Sequence, residues 1–238
     1  MDNRTEPIAP GVWRLEIATL TNAYVVARDA VGDTDGLILV DAGTRAAPPR
    51  LVRSIRLLGL DPRAVDEVVC THWHADHAGG ATRLALGPSA PSLAALSPDA
   101  EVIAGTAEPA AGRRTLLARA LAGVGRRPAP APTTALADGA RLDGGLVVVA
   151  APGHTAGHAA LWLPERGALL AGDAVFTTPW VWTGPRALTA DLDAVPATLA
   201  RLAALAPGVV GPGHGPPLRR RATERLEALA ERAARRVR

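Results

Sequence analysis

Six histidines and two aspartates hold the chemistry open to this chain. Three of the histidines fall within six positions, His72, His74 and His77, in the run Thr-His-Trp-His-Ala-Asp-His. His154 and His158 lie in Pro-Gly-His-Thr-Ala-Gly-His, and His214 lies in Gly-Pro-Gly-His-Gly. Asp76 stands beside His77, and Asp173 ends an Ala-Gly-Asp triplet. On an extended segment residues two apart project to one side, so His72 and His74 can offer two neutral nitrogens to one cation. Asp76 and His77 follow on the turn, out of step with that pair, and can serve a second cation beside it. Imidazole with carboxylate suits Zn, Mn, Fe or Co, with Zn the default. A lone histidine reads as a satisfied core or surface residue. His-x-His-x-Asp-His behind a strand, with three glycine-flanked histidines downstream, reads as a metal site.

The elements around these residues are strands followed by helices, twice. Val12 to Ile17, Ala23 to Ala27 and Leu37 to Val40 read as strands, the last ending at Asp41-Ala42-Gly43. Pro48 and Pro49 suit the first turn of a helix striped by Leu51, Ile55 and Leu58, with Gly59 as its stop. Val65 to Cys70 is a strand that runs into the histidine cluster. The chain then reads as helix and loop to about residue 125, with one strand at Glu101 to Ala104. Residues 128–134, Pro-Ala-Pro-Ala-Pro-Thr-Thr, form a stiff connector. It joins two halves of one domain, about 1–127 and 133–238. In the second half Leu146 to Ala150, Ala159 to Leu163, Ala168 to Leu170 and Val209-Val210 read as strands. Helices follow over Leu192 to Leu205 and from Leu218 to Val237. This order predicts an α/β fold, a four-layer αββα sandwich with the metal site between its two β-rich halves.

Composition narrows the partners. The chain has 238 residues, 48% hydrophobic and 21% charged, enough for a sizeable core and wrong for disorder. A sequence pI of 10.2 suggests a polyanion partner, but the net charge is only +3. All 26 basic residues are arginine. Residues 219–238 hold eight of them against three glutamates, so the remaining body is slightly acidic. Nucleic acid is therefore not the expected partner, and the basic segment reads as a helix with a solvent-facing arginine side. One cysteine fits a reducing compartment. The polar start of the chain, broken by Pro7 and Pro10, has no signal-peptide core, and no apolar run spans a membrane. The expectation is a cytoplasmic protein with a small-molecule substrate. Oligomeric state is not readable from the sequence.

The full motif string resembles the metallo-β-lactamase superfamily, with a metal site like that of glyoxalase II. The resemblance runs from the Leu-Val-Asp-Ala-Gly segment ending at Gly43 to His214. It implies that His72, His74 and His154 bind one metal, that Asp76, His77 and His214 bind a second, and that Asp173 bridges them. Asp41 is expected to orient a ligand loop, with a simple turn role as rival, and His158 to support a ligand. Trp180 and Trp182 follow the bridging Asp173 and could wall an apolar substrate pocket; ordinary packing is the rival reading. Cys70 reads as a small buried residue.

The implied chemistry is hydrolysis. Two divalent ions would share a water and bring its pKa toward neutrality, and the resulting hydroxide would attack an electrophilic carbonyl or phosphoryl centre. Asp76 would orient that nucleophile or take its proton. A carboxylate at Asp173 sets the chain apart from true β-lactamases. Glyoxalase II-like thioesterases share all seven ligands but carry an added C-terminal region for glutathione; here 20 residues follow Leu218. Related lactonases use a tyrosine beyond the bridging aspartate, and the only tyrosine here is Tyr24. The reading is a hydrolase of small esters, thioesters or lactones using two divalent ions, zinc first and iron or manganese next. Its rivals are a mononuclear iron enzyme like the persulfide dioxygenases, a phosphodiesterase or nuclease of the same superfamily, and a binding module without activity.

Overall fold

The structure, a computed structural model, describes residues 5–18, 21–28, 36–84, 92–96, 99 and 133–237. Eleven strands lie in this part: β1 (Thr5–Ala9), β2 (Val12–Ala18), β3 (Thr21–Ala27), β4 (Leu37–Val40), β5 (Val65–Cys70), β6 (Ser92–Leu96), β7 (Thr133–Leu136), β8 (Val147–Ala150), β9 (Ala159–Leu163), β10 (Ala168–Phe176) and β11 (Val209–His214). The α-helices among the described residues are α1 (Pro48–Leu57), α2 (Val195–Ala204) and α3 (Ala222–Val237).

The strands run in the order β7-β6-β5-β4-β3-β11-β10-β9-β8, with β2 on β3 and β1 on β2. Strands β4 to β7 are parallel, as are β10 and β11. The two β-rich parts meet where β3 pairs with β11 through one residue pair, Thr21 with His214.

Three apolar clusters mark three interfaces, and three interfaces make four layers. Side chains alternate across a strand, and the clusters follow that period. In β3 and β4, Val25, Leu37 and Leu39 face α1, where Leu51 and Ile55 are buried against them. Their neighbours Val26, Ile38 and Val40 face the other way, onto Leu161, Leu163 and Leu170 of the second half. Beyond that, Leu169, Ala171 and Val210 pack under Leu199, Leu202, Leu226 and Leu229 of the two C-terminal helices. Each such fully buried leucine contributes up to about 2 kcal/mol of hydrophobic stabilisation. The expected αββα sandwich is the observed one.

Several elements differ from the sequence reading. Ser92–Leu96, expected within helix and loop, is a strand between β5 and β7. Thr133 and Thr134, assigned to the connector, already belong to β7. The strand expected at 101–104 and connector residues 128–132 lie outside the described residues. Strand β10 runs on past Leu170 to Phe176, so Asp173 projects from within a strand. Among the described residues no helix is long and apolar enough to cross a membrane.

Candidate metal centre

The centre is assembled where β4, β5, β8, β10 and β11 end or pass. After β5 the chain bends at Thr71 and turns back, with the N–H groups of His77 and Ala78 both donating to the His74 carbonyl. That turn is tied to the end of β4, since Ala42 N–H donates to His77 O at 2.7 Å. Asp41 sits in the left-handed region, φ 60°, which aspartate tolerates better than most residues. Its carboxylate accepts from Thr71 N–H and Thr71 Oγ1, and lies 2.8 Å from His77 Nδ1. His77 is thereby held with Nε2 pointing inward. Asp41, expected to orient a ligand loop, contacts Thr71 and His77 of that loop.

Seven side chains converge in this space. His72 Nε2 is 3.0 Å and His154 Nε2 2.9 Å from His74 Nδ1. On the other side, His77 Nε2 is 3.3 Å from His214 Nε2, which is 3.4 Å from Asp76 Oδ2. Asp173 lies between the groups, its carboxylate oxygens 3.4 Å from nitrogens of His77, His154 and His214. Three sets of donors could each hold an ion: His72, His74 and His154; Asp76, His77 and His214; and His72, His77 and Asp173.

The donor chemistry fits divalent cations. His72 and His154 are buried and His74 is half-buried, and desolvation lowers their pKa values, that of His74 to about 4 and the other two well below the ordinary range. Each neutral imidazole keeps one ring nitrogen with a free lone pair, and these three nitrogens lie close enough to coordinate one cation. Asp173 Oδ1 is buried with no hydrogen-bond donor on it. A buried carboxylate oxygen without a donor is costly, and a metal would satisfy it.

The second group has the opposite bias. Burial pulls His77 and His214 down, but Asp173, with Asp41 and Asp76 beside it, outweighs burial and holds them up to about 10 and about 9. Burial raises Asp76 and Asp173, yet His77 and His214 keep both carboxyls well below the ordinary range. The carboxylates favour protonation of these two histidines, so an ion binding there competes with protons.

Other expected residues take supporting places. His158 Nε2 accepts from Asp173 N–H at 3.0 Å and so fixes the backbone of that residue. Burial lowers its pKa to about 4, which keeps that acceptor free. Cys70 is wholly buried in the core under α1, and burial pushes its thiol up. Trp182 packs on Phe176 with ring centroids 5.7 Å apart, while Trp180 is 65% exposed.

Two supports were not read from the sequence. Asp99 accepts from Trp73 N–H, from Thr155 Oγ1 at 2.6 Å and from Gly157 N–H, clamping the two loops that carry His72, His74 and His154. Asn22 donates to the carbonyls of Pro212 and Gly215, on both sides of His214, and receives Arg14 Nε on its oxygen. The available signal was a polar Asn22 and Arg14 inside otherwise apolar strands.

The family model of the metallo-beta-lactamase superfamily matches residues 17–214. The chain belongs to this superfamily. Its members are mostly hydrolytic enzymes and bind divalent metals. A curated relative, the thioesterase pkgB of Emericella nidulans, is 29% identical over 82% of this chain. That match covers 46% of the relative, so the chain spans about half its length. A metallo-beta-lactamase family protein of Thermus thermophilus is 27% identical, with TM-score 0.67 over 97% of this chain and 81% of that one. TTHA1623, solved in a di-iron-bound form, is 28% identical, with TM-score 0.65 over 95% and 98%. MEM-A1, a subclass B3 metallo-beta-lactamase from a soil metagenome, shares the fold at TM-score 0.71 and 22% identity, over 99% and 95%.

Proposed function

We propose that this chain is a dinuclear metal-dependent hydrolase of small thioesters, esters or lactones, thioesters first. One observation carries the reading: Asp173 stands within 3.4 Å of nitrogens from both histidine groups, as a carboxylate shared by two ions must. The thioesterase relative supports the choice of substrate class.

His72, His74 and His154 would hold one ion, and Asp76, His77 and His214 the other, with Asp173 reaching both. When bound, divalent ions, zinc by donor type, supply Lewis acidity and a hydroxide nucleophile at neutral pH. The protein's part is positioning. Asp41 holds His77 by Nδ1, His158 holds the Asp173 backbone, and Asp99 holds the first two ligand loops together. Asp76, half-exposed and ionised, accepts a hydrogen bond from the attacking water and so aims it at the acyl carbon. Cys70 is buried and protonated, and takes no part. Ligands come from both halves, so the chain acts as one unit.

The test is metal content together with turnover. About two zinc per chain and hydrolysis of a thioester panel are expected, with Asp76→Ala lowering turnover on the order of 100-fold or more. Unchanged turnover in Asp76→Ala would overturn the mechanism. A second reading is a mononuclear iron enzyme like the persulfide dioxygenases; TTHA1623, solved in a di-iron-bound form, supports only that a similar protein can hold iron. Iron in place of zinc, with oxygen consumed, is the result that would favour it.

A further inference from the structure

The segment after β10 sets two indoles opposite an arginine face. Trp180 is one of two exposed large apolar side chains among the described residues. Its ring centroid is 6.3 Å from that of Trp182, which packs on Phe176, which in turn stacks on His214. An aromatic row thus leads from the metal centre outward to Trp180.

Across from the indoles, Arg225, Arg232 and Arg236 of α3 line the same groove of about 520 Å³. Trp182 and Arg236 also line an adjoining groove of about 210 Å³, together with Arg186. Among the described residues no carboxylate lines either space. Arg221, just before the helix, and Arg235 on it lie 3.9 and 3.7 Å from Glu224 and Glu231. Arg225 and Arg236, facing the groove, have no such partner among the described residues. Arg232 Nη2 lies 3.4 Å from the Val181 carbonyl, which ties the helix to the tryptophan segment. Arg186, Arg225, Arg232 and Arg236 are exposed around one concave space; four like charges there repel one another, and an anion relieves that repulsion. A guanidinium fork matches phosphate oxygens, and an indole face takes a planar ring.

We infer that this groove binds the carrier half of a thioester substrate: a thiol carrier of nucleoside-phosphate type, with a planar heteroaromatic ring and phosphate groups. The ring lies on Trp180 and Trp182, the phosphates meet Arg225, Arg232 and Arg236, and the acyl end reaches the metals along Phe176. A concave space walled by indoles suits a small ring better than the convex surface of a protein carrier. The inference rests on the hydrolase reading for the fate of the acyl group, and on the groove alone for binding.

The test uses adenosine diphosphate as probe, with tryptophan fluorescence and calorimetry on the metal-loaded chain. Adenosine diphosphate is expected to quench tryptophan fluorescence and to bind at least ~10-fold more tightly than adenosine or inorganic pyrophosphate. Arg225→Gln with Arg236→Gln, and separately Trp180→Ala, should each weaken it by ~10-fold or more. Both are exposed-side changes, and circular dichroism checks that the fold is kept. No binding in the unaltered protein overturns the inference. So does pyrophosphate binding as tightly as the nucleotide, or affinity that ignores both variants and vanishes on metal removal. Groove-dependent nucleotide binding without any thioester hydrolysis would uphold this inference and sink the hydrolase reading alone.

Discussion

Phe176 lies flat against His214, ring centroids 4.9 Å apart and planes within 7°. Phe176 ends β10, and its backbone pairs with Trp182 in both directions. The stack sets the plane of the imidazole while Asp76 and Asp173 meet its edge. Phe176→Ala leaves a gap beside the ring and is expected to cost about 3 kcal/mol. Metal content should fall from two ions toward one, with a lowered Tm. Full occupancy at an unshifted Tm would show that the stack does not hold His214.

Asp41 does for His77 what Phe176 does for His214. Asp41→Asn keeps the shape but removes the charge facing Nδ1 and is expected to destabilise the chain by about 3 kcal/mol. In the metal-free protein the titration of His77, followed by NMR, should move from about 10 toward the ordinary histidine range. A midpoint that stays in place would assign its position to Asp173 and Asp76 alone.

Gly213 has no room for a side chain. A Cβ there would stand 2.0 Å from Asp173 Oδ1 and 2.9 Å from His77 Cε1. Gly213→Ala should push the shared carboxylate out of line and remove activity and the second ion together, with circular dichroism little changed. Retained two-ion binding would refute this.

Stability of the metal-free protein should peak near pH 6.5. Burial depresses His72, His74, His154 and His158. Their stabilising contribution is present above 6.5 and lost as pH falls toward about 4. His77 and His214 are raised against burial by carboxylates, to about 10 and 9. Their contribution is present below 6.5 and lost as pH rises through 9 and 10. Burial lifts Asp99 to about 6 against its three donors, so its contribution is present below 3.8 and lost through 6. Denaturant unfolding from pH 4 to 10 measures the peak, and the difference between the unaltered chain and Asp99→Asn isolates the last group. Adding zinc should stabilise most at neutral and alkaline pH, since protons compete with the ion.

Much of this was legible in the residues. The alternation in β3 and β4 places each side chain on its observed face, because both faces are buried against different partners. The five histidines and two aspartates read from the motifs are the seven side chains that converge in the structure. Ser92–Leu96 was missed because Ser-Leu-Ala-Ala-Leu has helical composition. It is a strand only because β5 and β7 take its backbone hydrogen bonds, a tertiary effect that local propensity does not contain. Asp99 was missed for a related reason. Its partners Trp73, Thr155 and Gly157 lie on distant segments, and nothing near it in the chain marks a clamp.

The one-residue pairing of Thr21 with His214 has a mechanical consequence. The junction between the two β-rich parts has few backbone bonds to resist shear at the end that bears the centre. His72, His74, Asp76 and His77 lie on one side of it, and His154, Asp173 and His214 on the other. Ions gripped from both sides would act as rivets through that junction. Loading would then add metal–ligand bonds to the Asn22 and Asp99 contacts that already tie the two parts together, so the bound ions would also set how firmly the parts stay aligned.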